Sequence, residues 1–285
     1  MKLIALMPAR NEDWIIGLSL RVALRWCDAA VVLDHASTDG TAGILDAMQD
    51  ECGERLTVIR ESDGAWSEMA HRQRLLDAGR AAGGTHFALV DADEVLTGNL
   101  LARIRNEVSA IGPGGLLQVG MQAMWRSLGA VRTDGRTWAG REDLALAFAD
   151  RYAVGWQAGG YDHHHRHPHG SVPHRRIRNG EGGVMHLQWA SWRRLVAKHA
   201  RYKMMERIKY PSKPVVAIDR MYSMALDEVG LSLRAAPAEW WTPYSDLMHH
   251  ANLSAEPWQE QECKRLWMEH GKAAFDGLDL FGVCQ

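Results

Sequence analysis

The chain has 285 residues, 46% of them hydrophobic and 24% charged, a globular composition that suits one large domain or a domain with an extension. Its formal net charge of -2 at pH 7 argues against partners held by bulk positive charge, nucleic acid and anionic membranes among them. Pro8 cuts off the short apolar start, no later run is long enough to span a bilayer, and Cys27, Cys52, Cys263 and Cys284 show no paired metal spacing, so a reduced, cytoplasmic protein is expected.

Lys2 to Met7 reads as a buried strand, Pro8-Ala9-Arg10-Asn11-Glu12 as a loop, and Trp14 to Trp26 as a helix with apolar spacing through Trp14, Leu18 and Val22. Ala30 to Asp34 is a second strand that ends on a carboxylate. His35-Ala36-Ser37-Thr38-Asp39-Gly40-Thr41 is a polar turn rich in capping residues, and Ala42 to Met48 a short helix. A third strand covers Leu56 to Arg60, a helix carrying Glu68, His71, Arg72 and Arg74 runs from Trp66 to Ala81, and a fourth strand from His86 runs into Asp91.

The fourth strand leads into Asp91-Ala92-Asp93-Glu94. Residues i and i+2 of a strand point to the same side, so Asp91 and Asp93 can aim two carboxylates at one point. Crowded carboxylates repel unless a cation lies between them, and a hard divalent ion, Mn2+ or Mg2+, fits that demand and can bridge to phosphates. The plain alternative is a solvated acidic turn. Strands alternating with helices predict an α/β fold with a mostly parallel sheet flanked by helices, whose ligand lies outside the carboxyl ends of the strands. Arg10 with Asn11, Asp34, and Asp91 all fall at such ends. No G-x-G-x-x-G follows the first strand, which argues against the usual dinucleotide fold.

Taken in order, Pro8-Ala9-Arg10-Asn11-Glu12, Leu33-Asp34-His35-Ala36-Ser37-Thr38-Asp39-Gly40-Thr41 and Asp91-Ala92-Asp93 resemble the successive signatures of family-2 glycosyltransferases with the GT-A fold, over roughly the first hundred residues. The resemblance implies a Rossmann-like catalytic domain, a nucleotide-diphosphate sugar donor with UDP-type favoured over GDP-type, Mn2+ or Mg2+, and inverting transfer to a hydroxyl acceptor, as in bacterial-type glycan biosynthesis. It puts Ala9, Arg10, Asn11 and Glu12 by the nucleotide, Asp34 on the base or ribose, Arg72 on the diphosphate side, Asp91 and Ala92 by the ribose, and Asp91 and Asp93 on the metal. His35 departs from the family's usual Asp or Asn at that place and leaves the nucleotide base open. A retaining glycosyl or nucleotidyl transferase on the same fold, and a non-catalytic nucleotide-sugar-binding protein, are the alternatives.

The middle of the chain is less regular. Leu116 to Val119 and Ala123 to Trp125 are candidate strands, with turns at Gly112-Pro113-Gly114-Gly115 and Thr133-Asp134-Gly135-Arg136. An inverting transfer needs a group to take the acceptor's proton. In the family that base is commonly an Asp within a Glu-Asp pair, so the resemblance points to Asp143 of Glu142-Asp143, with Glu142, Asp150 and Asp162 as rivals; a solvated surface helix is the alternative for this stretch. The run Tyr161-Asp162-His163-His164-His165-Arg166-His167-Pro168-His169 lacks the spacing of a closed zinc site and reads as a loop beside the active site. His186, in Val184-Met185-His186-Leu187, matches the late histidine that completes the metal shell in such enzymes; a buried histidine bonded to backbone is the alternative.

Trp192 to Tyr210, Val215 to Val229 and Trp258 to Phe275 are expected helices. Arg193, Arg194, Lys198, Arg201 and Lys203 on the first of them form either a solvated face or a contact for an anionic acceptor or lipid headgroup, so peripheral membrane contact stays open. The expected division is a catalytic domain over 1–190, with a nucleotide-sugar and metal half at 1–95 and an acceptor half at 96–190, and a helical extension over 191–285. The abundant tryptophans are expected to fill the core.

Overall fold

The computed structural model describes residues 1–62, 67–135, 141–151, 154–156 and 166–283. In chain order its elements are β1 (Leu3–Ala9), α1 (Ile16–Trp26), β2 (Ala29–His35), α2 (Thr41–Cys52), β3 (Leu56–Glu61), α3 (Glu68–Ala81), β4 (His86–Leu89), β5 (Glu94–Leu96), α4 (Leu101–Ser109), β6 (Gly115–Met124), β7 (Ala130–Arg132), β8 (Leu144–Ala149), β9 (Val172–Arg176), β10 (Gly183–His186), α5 (Trp192–Lys209), α6 (Val215–Ser223), β11 (Leu233–Ala235) and α7 (Trp258–His270). They gather into two compact units, one of Met1–Gln122, Arg141–His186 and Pro237–Asn252, the other of Ala123–Gly140, Leu187–Ala236 and Leu253–Gln285.

The first unit is the expected α/β sheet. Its strand order is β6-β8-β4-β1-β2-β3, with β4, β1, β2 and β3 mutually parallel and β8 antiparallel to both β4 and β6. The chain leaves β1 for β2 and β3 on one side and returns to β4 on the other. The order therefore reverses at β1, and the loops after β1 and β4 diverge to open a crevice there. Every residue of β2 and β8 is buried, as expected for strands covered on both faces. Ile4, Leu6, Val31, Leu33, Phe87 and Leu89 share one core with Met69, Leu75 and Leu76 of α3 and with Trp156. The alternate residues Leu3, Ala5 and Met7 are fully buried too, so the opposite face is also closed.

Several sequence expectations change here. The two candidate strands at 116–119 and 123–125 are one strand, β6, buried along its whole length. The stretch for which a solvated helix was the alternative holds β8, because Leu144-Ala145-Leu146-Ala147-Phe148-Ala149 is apolar at every position and fits between β4 and β6. β5 and β10 form a short antiparallel ribbon in which Met185 faces Val95 and His186 faces Glu94. A side chain at Gly183 would meet the Gly120 carbonyl oxygen at 2.0 Å, so glycine at this position is what lets β10 lie so close to β6.

The second unit is built on α5, which contacts α6 and α7, with Ala200, Met204, Cys263, Leu266, Phe275 and Leu280 as its core. α6 stops at Ser223 and α7 at His270, short of the expected ends, and short tight turns of helix continue each of them. The basic residues of α5 do not form one solvated face. Lys203 is fully buried, with Nζ donating to Ser223 Oγ at 3.0 Å and to the Asp279 carbonyl at 2.7 Å, and 2.9 Å from Asp219 Oδ1. Arg194 is buried, Arg193 pairs with Glu260, Lys198 donates to Gln188, and Arg201 stacks over Trp258. Within the two units Trp14, Trp26, Trp125, Trp156, Trp189 and Trp240 are buried. Among the described residues no helix is long and apolar enough to cross a membrane.

Candidate functional site

The parallel register lines up the strand ends. Ala9 sits beside Asp34, and Asp34 beside Arg60. The loops after β1 and β2 interlock through Asn11. Its backbone N–H donates to Ser37 Oγ at 2.9 Å, and its Oδ1 accepts the Thr38 N–H at 2.7 Å. Glu12 donates its N–H to Thr41 Oγ1 at 2.8 Å and accepts Trp14 Nε1–H at 2.6 Å. Both loops carry a residue in the left-handed region, Asn11 at φ 55 and Ala36 at φ 49. Asparagine tolerates that region; alanine pays of order 1–2 kcal/mol for it, met here by the bonds around it.

Asp34 is buried at the end of β2. Its Oδ1 accepts the Ser37 N–H at 3.2 Å and its Oδ2 lies 3.2 Å from Arg60 Nη1. An ionised carboxylate has about four acceptor sites, so two further donors can be taken by the same group. His35 is buried as well. Arg10 Nη1 donates to its Nδ1 at 3.1 Å, and its ring lies 4.6 Å from that of His71 on α3. Arg10, His35 and His71 thus form one cluster, in which His35 packs between the loop after β1 and α3.

The acidic stretch after β4 reaches the same helix, α3, through Arg72. Asp91 Oδ2 lies 2.9 Å from Arg166 Nη1 and its Oδ1 lies 3.6 Å from Arg72 Nη2. Arg72 also donates Nε–H to Glu68 at 3.0 Å. Burial pushes the Asp91 carboxyl upward, but the flanking Arg166 and Arg72 outweigh it and hold it below the usual carboxylate range. The Ala92 carbonyl accepts the Ser19 hydroxyl at 2.6 Å, which ties this turn to α1. The β5–β10 ribbon then carries His186 to the turn, with Nε2 3.3 Å from Asp93 Oδ2.

Sequence reasoning named Ala9, Arg10, Asn11, Glu12, Asp34, Arg72, Asp91, Ala92, Asp93 and His186, and the structure brings them to the carboxyl edge of β1, β2 and β4. It did not name Glu94, Arg60, His71 or Arg166 as site residues. Glu94 is almost wholly buried and chelates Arg166; the signal for it was only a third carboxylate following the first two. Asp143 lies just before β8, exposed, with Oδ1 2.9 Å from Arg141 Nε. That bond holds its carboxyl below the usual range. Glu142 beside it is exposed. Asp150 is at the other end of β8, where its strand meets the start of β4, and Arg80 grips both of its oxygens at 2.8 and 2.9 Å. Asp162 and His163, His164 and His165 lie outside the described residues. His169 closes its loop by donating its N–H to the Gly155 carbonyl at 2.9 Å.

Asp93 and His186 offer a carboxylate oxygen and an imidazole nitrogen 3.3 Å apart, a mixed set suited to Mn2+. Asp91 Oδ1 is out of solvent and accepts no hydrogen bond among the described residues, with the Arg72 guanidinium 3.6 Å away as its counter-charge. The described residues hold no group of three or more His, Cys, Asp or Glu placed to grip an ion by themselves. An ion held by Asp93 and His186 would take its other ligands from phosphate oxygens and water.

No protein-family model matches the chain, and no curated protein matches it. Solved structures do. A mannosyltransferase from Pyrobaculum calidifontis in complex with GDP-Man and Mn2+ is 15% identical over 99% of this chain and 78% of its own, with a TM-score of 0.41. S. aureus TarS 1-349 in complex with UDP is 19% identical over 50% of this chain, with a TM-score of 0.35, and this chain covers 39% of it. GalNAc-T7 with UDP, GalNAc and Mn2+ is 11% identical over 89% of this chain and 59% of its own, with a TM-score of 0.35. The strand order of the first unit agrees with the GT-A-like α/β architecture that the motifs implied.

Proposed function

We propose that this protein is a glycosyltransferase that moves a sugar from a nucleotide-diphosphate donor to a hydroxyl acceptor with inversion, assisted by a divalent metal. The observation that carries the reading is the approach of His186 to Asp93 at 3.3 Å, at the edge of the crevice flanked by Asp34, Arg10 and His35. The complexes with UDP and Mn2+ or with GDP-Man and Mn2+ named above are of the same chemical kind.

In this reading Asp34 accepts a hydrogen bond from the base or ribose. Asp91 and Ala92 flank the ribose, and Arg72, set between Glu68 and Asp91, faces the diphosphate. Asp93 and His186 would hold the ion, with Asp91 beside them. A bound ion offsets charge on the departing diphosphate. Asp143 takes the acceptor proton, as an exposed carboxylate at the same end of β8 as the acidic turn, with Glu142 as its rival. Asp150, locked by Arg80 at the far end of the strand, is set aside as the base. UDP is favoured over GDP, the catalytic unit extends over 1–190, and the acceptor is a glycan, lipid-linked or small-molecule hydroxyl.

The test is a thermal-shift and calorimetric screen of UDP- and GDP-sugars with Mn2+, followed by turnover assays, since a ligand that binds only the native state raises its apparent stability. A nucleotide sugar should bind in a metal-dependent way, Asp93→Ala should lose turnover, and the product anomer should be inverted. Full activity of Asp93→Ala would remove the metal assignment, and a retained anomer would exclude inversion.

A further inference from the structure

α6 packs inward through Ile218, which is fully buried, and turns a different kind of surface outward. At about 3.6 residues per turn, Val216, Arg220, Met224, Ala217 and Met221 fall in succession within an arc of about 140°, Met224 being the first residue of the tight turn that continues the helix. Val216 is 75% exposed, Met224 55% and Met221 43%. The patch runs on to the end of α5. Lys213 Nζ lies 3.6 Å from Met221 Sδ and 5.9 Å from the centre of the Tyr210 ring. Tyr210 is itself 43% exposed, with Lys209 Nζ 5.3 Å from the same ring. Large apolar side chains set side by side in water mark a surface that something else covers.

The charges beside this patch are unevenly placed. The acids of α5 and α6 are Glu206 and Asp219, and both are engaged elsewhere. Glu206 takes Lys213 and the Tyr222 hydroxyl, the latter at 3.1 Å. Asp219 lies 2.9 Å from the buried Lys203 Nζ and accepts the Asp279 N–H at 3.2 Å. The arginines keep their charge. Arg207 donates Nη1 to the Pro211 and Lys213 carbonyls in the turn between the helices, at 2.9 and 3.0 Å. Arg220, exposed on the outer arc, has no ion pair among the described residues.

The surface is therefore apolar and cationic together, with a tyrosine at its margin. A twofold contact with a second copy of the chain would set this patch against itself and bring like charges together. An anionic bilayer complements both parts at once. Its acyl region takes the valine and methionine side chains, its headgroup layer suits the tyrosine, and its phosphates attract the arginines. The chain's net charge of -2 supplies no long-range pull, so the attraction has to be local, within about one Debye length of the membrane.

We propose that the outer face of α6, with Tyr210 and Arg207 at the end of α5, is a docking surface for an anionic lipid bilayer. This claim is independent of the glycosyl-transfer reading.

The experiment is cosedimentation of the full chain with vesicles of phosphatidylcholine alone and of phosphatidylcholine containing about 30% phosphatidylglycerol. Wild-type protein should partition at least about tenfold more strongly onto the anionic vesicles at about 0.1 M salt, and should lose most of that preference at about 0.5 M salt, where screening is stronger. Val216→Glu combined with Met224→Glu should lower partitioning at least about tenfold, and Arg220→Glu at least about threefold. Met268→Glu alters a side chain 80% exposed on α7 and should stay within about twofold of wild type. No binding to anionic vesicles, equal binding to both kinds, or a loss in Met268→Glu as large as in the paired variant would overturn the proposal. A dimer seen in sedimentation velocity and split by the paired substitution would overturn it too, because the patch would then belong to a second copy. Should the paired variant fail to fold by circular dichroism, Arg220→Glu and the salt dependence decide: binding unchanged in both removes the anionic bilayer as the occupant.

Discussion

His186 Nε2 stands 3.3 Å from Asp93 Oδ2 across 93 positions of sequence. The relationship is made by backbone. β5 follows the acidic turn, β10 ends on His186, and their antiparallel register sets His186 opposite Glu94, next to Asp93. Replacing either side chain should therefore weaken the same event. His186→Ala and Asp93→Asn should each lower Mn2+ affinity in the presence of UDP or GDP by at least about tenfold, measured by calorimetry. An unaltered affinity in His186→Ala would remove the histidine from the ion site.

The same register makes Gly183 a remote control of that pair. A methyl group there meets the Gly120 carbonyl at 2.0 Å, whereas one at Gly180 has nothing within 4 Å. Gly183→Ala should cost about 1–3 kcal/mol or more in urea unfolding, because backbone must move, and should also weaken Mn2+ binding with nucleotide as β10 shifts. Gly180→Ala should be close to neutral in both measurements. Equal effects of the two would show that the β6–β10 contact is not what fixes His186.

Asp143 and Asp150 bracket one strand and should behave differently. Asp143→Asn should cut turnover by about 10²–10⁴-fold, the usual worth of a general base, while donor binding stays as in wild type. Asp150→Asn breaks a largely buried pair with Arg80 and should cost about 1–3 kcal/mol of stability, less than a fully buried pair because Arg80 keeps some solvent, with turnover per folded molecule preserved. Parallel losses of turnover in the two variants would argue that neither is the base.

His199 on α5 should make stability depend on pH. Burial, more than any other cause, pushes it down from 6.5 to about 4, and its Nδ1 bonds the Leu195 carbonyl at 2.9 Å. The unfolded chain titrates near the ordinary value, so between about pH 6.5 and pH 4 it holds more protons than the folded chain. Stability therefore falls as pH drops through that window and flattens below it, by up to about 3 kcal/mol from this group. His199→Gln should show a shallower fall when urea unfolding is compared at pH 7, 5.5 and 4.5. An identical slope would mean that other groups carry the acid sensitivity.

Much of this molecule is written locally. Short apolar runs ending on Asp34 and Asp91, with helical spacing between them, are enough to specify a parallel sheet and the edge at which ligands bind, because side-chain period and strand ends are set by neighbouring residues. Arg10, Asn11, Asp34, Asp91 and Asp93 could be placed at that edge for this reason. β8 was harder to read. Its apolar run follows two acids and a glycine-rich stretch, and only the vacancy between β4 and β6 makes it a strand.

The sequence by itself determined the alternation of elements, the acidic turn after β4 and the polar loops after β1 and β2, since each depends on residues a few positions apart. Only the tertiary structure decided which distant groups join them. Arg60 meets Asp34 through the β2–β3 register, His71 meets His35 through the seating of α3, and Arg166 fills the gap between Asp91 and Glu94. Lys203 reads as one more surface charge until α6 and the stretch after α7 close over it. The physical reason is the same in each case: a charged side chain declares its sign in sequence, but its partner is chosen by how the strands and helices pack, and no spacing rule reaches that far.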